Sequence, residues 1–432
     1  MTVTVALPAP VQSSPRKLVV VGQGYVGLPL AIRAVEVGFT VVGVDTDAVR
    51  TDALAQGTSY VEDVAAERLA RALDSGRYRP TTSYDDVSGF DAAIITVPTP
   101  LRDSLPDLSY ITAAAGQLAE HLTCGATVVL ESTTYPGTTD EILVPLLEEG
   151  SGLVAGKDFF VGYSPERIDP GNPRYGFENT PKVVSGIDRP SLSVVQKLYA
   201  KLVQETVAVS GCREAELTKL LENTFRHVNI ALVNEIAMFA RELGVDVWEV
   251  IDAASSKPFG FMRFTPGPGV GGHCLPVDPT YLSWQVRRLL RRSFRFVELA
   301  NDINDHMPDH IVLRIAAGLN LRGRAVNGSE IIVFGLAYKP NTGDVRESPA
   351  VRVVQLLADL GATVQVVDSH VEPHKCPPGV KLTDAADVRL DSADAVVLLT
   401  DHDDIDYRPL ERSPSWVLDT RHRLVSKNVE YL

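Results

Sequence analysis

Short, unbroken apolar runs alternate along the chain with segments of helical periodicity, and each run ends in a polar or glycine-rich loop. Lys17 to Val21 (KLVVV) is the first run; Leu28 to Val37 follows as a helix stopping at Gly38, and Thr40 to Val44 is a second strand. Ala92 to Val97 (AAIITV), Thr127 to Leu130 (TVVL) and a segment near Phe159 to Tyr163 continue the series. Strands that are apolar at every position suit a parallel sheet covered by helices on both faces. From Arg213 to about Leu243 the pattern changes. Leu217, Leu220, Leu221, Phe225, Val228, Leu232, Ile236 and Phe239 recur at three- and four-residue spacing, which predicts one long helix. Glu330 to Phe334, a helix over Ser348 to Leu360, Thr363 to Val367 and Ala393 to Leu399 then repeat the opening arrangement. The expected fold is α/β, with two Rossmann-like doubly wound domains joined by a central helical segment. Its expected parts are 1–210, 211–310 and 311–432.

The loops carry the chemistry. Gly22, Gly24 and Gly27 in GQGYVG, with Tyr25 and Val26 between them, join the first strand to its helix, and Asp45 closes the second strand 23 residues beyond Gly22. Glycines there let backbone N–H groups and the helix dipole reach a pyrophosphate, and the acid is placed for a ribose hydroxyl pair. Asp45 favours NAD over NADP, while Arg50 nearby is the residue that speaks for a phosphate. Thr99, Ser132 and Thr133 follow later strands, where they either face the cofactor or reacting carbon or serve as helix caps. Glu166 and Arg167 lie in the turn-rich SPERIDPGNP, so Glu166 is a general base or a surface carboxylate. Lys219 and Asn223 are four apart and share a face of the long helix, which is expected to be buried and to present them to a ligand. The later βαβ unit lacks the full glycine fingerprint and offers Lys339 and Arg346 instead, which suits a second phosphate-bearing ligand.

Pro266 to Pro279, PGPGVGGHCLPVDP, sets Cys274 among glycines and prolines with His273 beside it and Asp278 four residues on. The cysteine is read there as an activated thiolate or as a small buried apolar residue. The four cysteines are widely spaced without a CxxC pair, so neither a zinc cluster nor a disulfide framework is indicated, and no metal is expected. A net charge of −14 argues against nucleic acid and anionic membrane as partners, leaving a small molecule to supply any bound phosphate. The start of the chain lacks a signal-peptide pattern and no segment has about 18 uninterrupted apolar residues. A cytoplasmic protein is expected.

Taken together, GQGYVG with Asp45, the EST loop, SPER, KLLEN, GVGGHCLPVDP and AYKPNTGDVRES resemble the nucleotide-sugar 6-dehydrogenases, which oxidise UDP-glucose or UDP-N-acetylhexosamines to uronic acids. The resemblance implies Cys274 as thiolate nucleophile, with Lys219, Asn223 and Asp278 around C6. It implies Thr133 positioning water or the C6 oxygen, and Glu166 activating water. Gly22, Gly24, Tyr25, Val26, Gly27, Asp45, Arg50, Thr99, Ser132 and Arg346 then form the NAD set. Arg167, Gly271, Gly272, His273 and Lys339, with Lys219 and Asn223, form the set for the nucleotide sugar. Pro170 stands where the glucose enzymes have a second glutamate, and GGHC replaces GGSC, both as in the 2-acetamido branch; Arg167 and His273 are then expected near C2. UDP-glucose and TDP-glucose are the alternative substrates. A two-electron hydroxy-acid dehydrogenase and a non-enzymatic NAD or nucleotide-sugar sensor are alternatives of other kinds. The resemblance also implies a homodimer or larger homo-oligomer, since a long apolar central helix in that family typically forms a dimer interface.

Overall fold

A computed structural model of the chain describes residues 17–61, 63–102, 105–169, 172, 174–272, 275, 277–426 and 429–432. The chain divides into two compact units, the first ending at Leu220 and the second running from Leu221 to Leu432. In the first, β1 (Lys17–Val21) leads through α1 (Gly27–Glu36) to β2 (Thr40–Val44). β3 (Tyr78–Thr81), β4 (Ala92–Ile95), β5 (Thr127–Leu130) and β6 (Phe160–Tyr163) follow. All six are parallel, in the order β3-β2-β1-β4-β5-β6. Alternate residues go to opposite faces: Leu18, Val20 and Val41 join one buried cluster, and Val19, Val21 and Val42 the other. Strands covered on both sides by helices have no polar face to spare, which is why the inner strands β1, β2, β4 and β5 are almost wholly apolar while the edge strand β3 (YRPT) is not. β4 is shorter than its apolar run. The chain turns at Thr96, whose hydroxyl donates to the carbonyls of Val21 and Gly22.

β7 (Lys182–Val184) and β8 (Thr206–Ala208) make a separate parallel pair. α2 (Arg189–Leu202) links them and starts on Asp188, whose carboxylate accepts from the Ser191 amide. α3 (Cys212–Glu242) spans 31 residues and carries the chain from one unit into the next. Its burial corrects the expectation of a buried helix. Glu216, Lys219, Thr224, His227 and Asn234 are buried together with Leu220, Ala231, Val233, Ala237 and Ala240, while Leu217, Leu221, Phe225, Leu232, Ile236 and Phe239 are exposed.

The second unit contains α4 (Asp278–Leu290), α5 (Arg295–Asn320), β9 (Glu330–Phe334), α6 (Pro349–Asp359) and β10 (Thr363–Val367). β11 (Lys381–Leu382), β12 (Ala395–Leu398), β13 (Trp416–Asp419) and β14 (Val429–Tyr431) complete it. Its strands are parallel in the order β11-β10-β9-β12-β13-β14, the same arrangement as in the first unit. Ile331, Val333, Val364 and Val397 pack on one face, and Ile332, Phe334, Val367 and Val396 on the other. No helix among the described residues is long and apolar enough to cross a membrane.

Candidate active site

In the first unit the chain leaves β1 at Gly22, where φ is +93° and a Cβ would meet the Thr96 carbonyl oxygen at 2.8 Å. Only glycine fits that turn. The Gly22 amide donates to the Val44 carbonyl at 2.7 Å and the Gln23 amide to Asp45 Oδ2 at 2.8 Å, so the end of β2 shapes the loop. Gln23 is fully buried, and Tyr60 and Tyr78 hold its backbone carbonyl and side-chain oxygen at 2.6 and 2.7 Å. A Cβ at Gly27 would lie 1.8 Å from the Gly22 carbonyl oxygen, so the helix start sits directly on the loop. A Cβ at Gly24, by contrast, would meet nothing within 4 Å. That open space fronts the start of α1, which has no side-chain cap and no acid in its first turn, the conditions an anion needs at a helix N-terminus. A dinucleotide's pyrophosphate therefore fits these residues. Tyr25 is exposed at the loop, and Arg50 Nη1 lies 3.7 Å from Asp45 Oδ2. The cation that spoke for a phosphate is thus paired with the acid.

The loops after β4 and β5 are tied together. Thr99 donates to the Thr133 carbonyl at 2.8 Å and Ser132 to the Val97 carbonyl at 2.8 Å, so both hydroxyls brace loops where helix capping was the bland expectation. Thr133 is half-buried between them. Beneath lies a charged cluster that the motifs did not announce. Lys182 Nζ reaches Glu166 Oε2 at 2.6 Å and Glu131 Oε2 at 3.2 Å, and the Tyr199 hydroxyl donates to Glu131 Oε1. Glu166 Oε1 accepts from the amides of Arg167 and Ile168, both at 2.7 Å. The Glu166 side chain is thus held inside, where a surface carboxylate was one alternative. Arg167 Nη1 donates to the Pro181 carbonyl at 2.6 Å. Nearby on α3, Glu216 accepts from the Gly137 and Thr139 amides and the Thr139 hydroxyl, fixing the far end of the EST loop one turn before the buried Lys219. Burial pushes the Glu216 carboxyl up to about 7.

In the second unit Asn223 Nδ2 donates to Asp278 Oδ2 at 2.5 Å, joining α3 to the first residue of α4. Gly272, at φ +84°, donates its amide to the Arg346 carbonyl, and a Cβ there would run into the Tyr338 ring at 2.8 Å. Gly271 packs against Tyr338 and Glu347 in the same way. These glycines bring the loop against the segment carrying Lys339, whose ammonium lies 5.8 Å from the Tyr338 ring centre. The Arg346 guanidinium clasps Asp344 with contacts of 2.6 to 3.1 Å. Arg421, which sequence reasoning passed over, is half-buried beside Gly267 and donates to the Leu399 carbonyl. Pro170, His273 and Cys274 lie outside the described residues. Among the other cysteines, burial pushes the Cys212 thiol up to about 12, which rules it out as a thiolate near neutrality.

The strand ends of the second unit repeat the first. Gly335 turns at φ +84° and donates to the Val367 carbonyl, and Asp368 accepts from the amides of Leu336 and Ala337. Here the acid is saturated, for its other oxygen takes the His370 and Val371 amides and His402 Nε2 adds a bond at 3.0 Å. Although burial pushes it up, His402 and the amides hold the Asp368 carboxyl at about 2. Among the described residues His370, His402 and Asp404 gather donor atoms within 4.8 Å, but His402 Nδ1 already accepts from the Asn341 amide. With Nε2 facing Asp368, His402 has no lone pair for a metal.

Three family models match in sequence order. They are the NAD-binding domain of the UDP-glucose/GDP-mannose dehydrogenase family over residues 16–203, its central domain over 213–306 and its UDP-binding domain over 332–426. The chain belongs to the UDP-glucose/GDP-mannose dehydrogenase family. It is an NAD-dependent nucleotide-sugar dehydrogenase. It is 36% identical over 418 residues to the UDP-N-acetyl-D-mannosamine dehydrogenase of Pyrococcus horikoshii, covering 95% of this chain and 94% of that one. It is also 36% identical over 390 residues to the UDP-N-acetyl-D-glucosamine 6-dehydrogenase of Pseudomonas aeruginosa, covering 89% and 90%. Among solved structures, the Pyrococcus horikoshii UDP-D-ManNAc dehydrogenase superposes with a TM-score of 0.87 at 33% identity, covering 96% of this chain and 98% of the other. Membership fits the two glycine turns: the first, open at Gly24, belongs to the segment matching the NAD-binding model, and the second to the segment matching the UDP-binding model.

Proposed function

We propose that this dehydrogenase oxidises the C6 hydroxyl of a UDP-N-acetylhexosamine to the carboxylate, in two hydride transfers, through a covalent intermediate on Cys274. The observation that carries this reading is the Asn223–Asp278 bond, a buried carboxylate oriented by an amide, in residues where the family pattern puts the C6 chemistry. NAD supplies the hydride acceptor at each oxidation. Asp278, directly or through water, takes the alcohol proton, and Lys219 and Asn223, one turn apart on α3, stabilise negative charge on the C6 oxygen. The Cys274 thiolate adds to the aldehyde, so that the intermediate stays on the enzyme. The resulting thiohemiacetal gives up the second hydride and becomes a thioester, which water cleaves. Glu166 activates that water while Thr133 positions it. Lys339 and the Gly271–Gly272 loop hold the nucleotide diphosphate.

The acetamido preference is supported by the two relatives named for acetamido sugars and by Pro170, Arg167 and His273, which part from the glucose enzymes. The division of labour we infer is cofactor binding over 1–210, the cysteine loop and central helices over 211–310, and the nucleotide sugar over 311–432. We also infer a homodimer formed through the exposed apolar face of α3 and a cytoplasmic location, where the unpaired cysteines stay reduced.

The test is the yield of NADH per sugar from purified full-length protein with UDP-N-acetylglucosamine, UDP-N-acetylmannosamine, UDP-glucose and TDP-glucose. Two NADH per sugar and the highest kcat/KM on an acetamido sugar are expected, with Cys274→Ser retaining ligand binding but giving no acid. One NADH per sugar, or steady acid formation by that variant, overturns the mechanism. Preference for a glucose nucleotide overturns the substrate alone.

A further inference from the structure

The cluster behind Glu166 holds more charge than a resting structural element needs. Lys182 opens β7 with its side chain 3% exposed, its ammonium shared by Glu166 and Glu131 and packed near the rings of Phe177 and Tyr199. The titratable groups come from four segments. Glu131 follows β5 directly, Glu166 follows β6, Lys182 begins β7 and Tyr199 lies on α2. Two carboxylates and one ammonium leave a net negative charge in a space that only Glu166 opens to water, with its side chain 11% exposed, unless one carboxylate keeps a proton. Hydrophobic residues of similar size would fill that space at least as stably, so the charges point to a use.

We propose that Lys182 and Glu131 are positioning residues for Glu166, with Lys182 fixing its carboxylate and Glu131 governing how much of the Lys182 charge Glu166 feels. The inference rests on the reading of Glu166 as the group that activates water. Glu166 has little freedom of its own, with two amides on Oε1 and the ammonium on Oε2. Burial pushes the Glu131 carboxyl up to about 7, with Lys182 pulling down and Glu166 adding to the rise. Burial acts in the same sense on Glu166, but Lys182 and the amides of Ile168 and Arg167 carry it below the ordinary carboxylate range. At acidic pH the shared proton therefore sits on Glu131 and the ion pair is Lys182 with Glu166, a weak base. As pH rises through neutrality Glu131 ionises and competes for Lys182, and Glu166 becomes the stronger base.

Full-length wild type, Glu131→Gln, Lys182→Arg, Lys182→Met and Glu166→Gln are compared by kcat and KM from pH 5.5 to 9 and by the NADH burst in rapid quench. Wild-type kcat should rise through a limb near neutrality, and Glu131→Gln should lose that limb while both KM values stay within about twofold. Lys182→Met should lose about 100-fold in kcat and show an NADH burst before slow acid release, and Lys182→Arg should recover to within about tenfold of wild type. A structural cluster would instead lower the melting temperature and disturb both KM values without moving the pH profile, which overturns the proposal. A Glu131→Gln profile that superimposes on wild type does so too. If Lys182→Met fails to fold, the near-isosteric Glu131→Gln still decides. Unimpaired thioester hydrolysis in Glu166→Gln would remove the underlying reading instead, so the two failures are told apart.

Discussion

Asp45 and Asp368 close the second strands of their units and brace the preceding turns, yet their surroundings set them different tasks. Asp45 accepts from the Gln23 and Asp47 amides and has an exposed guanidinium beside it. Asp368 accepts from four amides and a buried imidazole. Asp45→Ala is accordingly expected to weaken NAD by about 1–3 kcal/mol, the range for leaving hydroxyl partners unmade, when titrated by fluorescence or calorimetry. Asp368→Ala should leave NAD affinity alone, because four amides and His402 already saturate its carboxylate. Unchanged affinity in Asp45→Ala would strip the glycine loop of its assigned role. The first acid was legible from its spacing to Gly22. The saturation of the second was not, because His402 stands 34 residues away and comes to Asp368 only when β10 and β12 pair on either side of β9.

At the scale of the element, α3 buries a side of small apolar and polar residues and leaves its larger apolar residues exposed. Its periodicity was legible, and its limits fall within a residue of the expected span. The direction of its faces was not, since a 3.6-residue period says only that apolar residues share a side. The inward line is mixed: Leu220, Ala231, Val233, Ala237 and Ala240 are buried beside Asn234, which bonds to Asn304 at 2.9 Å and to the Gly267 amide at 2.9 Å, while Phe225 and Phe239 stand about half exposed. An apolar stripe of that length on a single helix calls for a partner. Replacing Leu221 and Phe225 together with Glu is expected to halve the mass seen by light scattering while the NAD affinity of the first unit is retained. A wild-type protein that is monomeric at micromolar concentration would refute the homodimer.

Across the whole molecule the buried acids shift in opposite directions, and the pH dependence of stability follows from their signs. Asp368, lowered to about 2, contributes stability above the ordinary carboxylate value and loses it only as pH falls toward 2. Glu131 and Glu216, raised to about 7 chiefly by burial, favour the folded state below their ordinary value and lose that contribution as pH climbs through 7. The melting temperature should therefore be higher near pH 5 than near pH 8, and Glu216→Gln should flatten the difference. An equal pH slope in the variant would show that Glu216 does not titrate in that window.

The sequence by itself determined the two parallel sheets, the glycine turn with Asp45 and the family, because strand runs, tight turns and short motifs are local and their physics acts between neighbours in the chain. Tertiary structure alone decided what lies under those motifs. Glu131 and Lys182 are 51 residues apart and Glu131 and Tyr199 are 68 apart, so no window of sequence contains the cluster. A lysine opening an apolar strand was a signal that a buried charge needs a partner, but only the pairing of β5 with β6, and the docking of α2 behind them, brings that partner within hydrogen-bond reach.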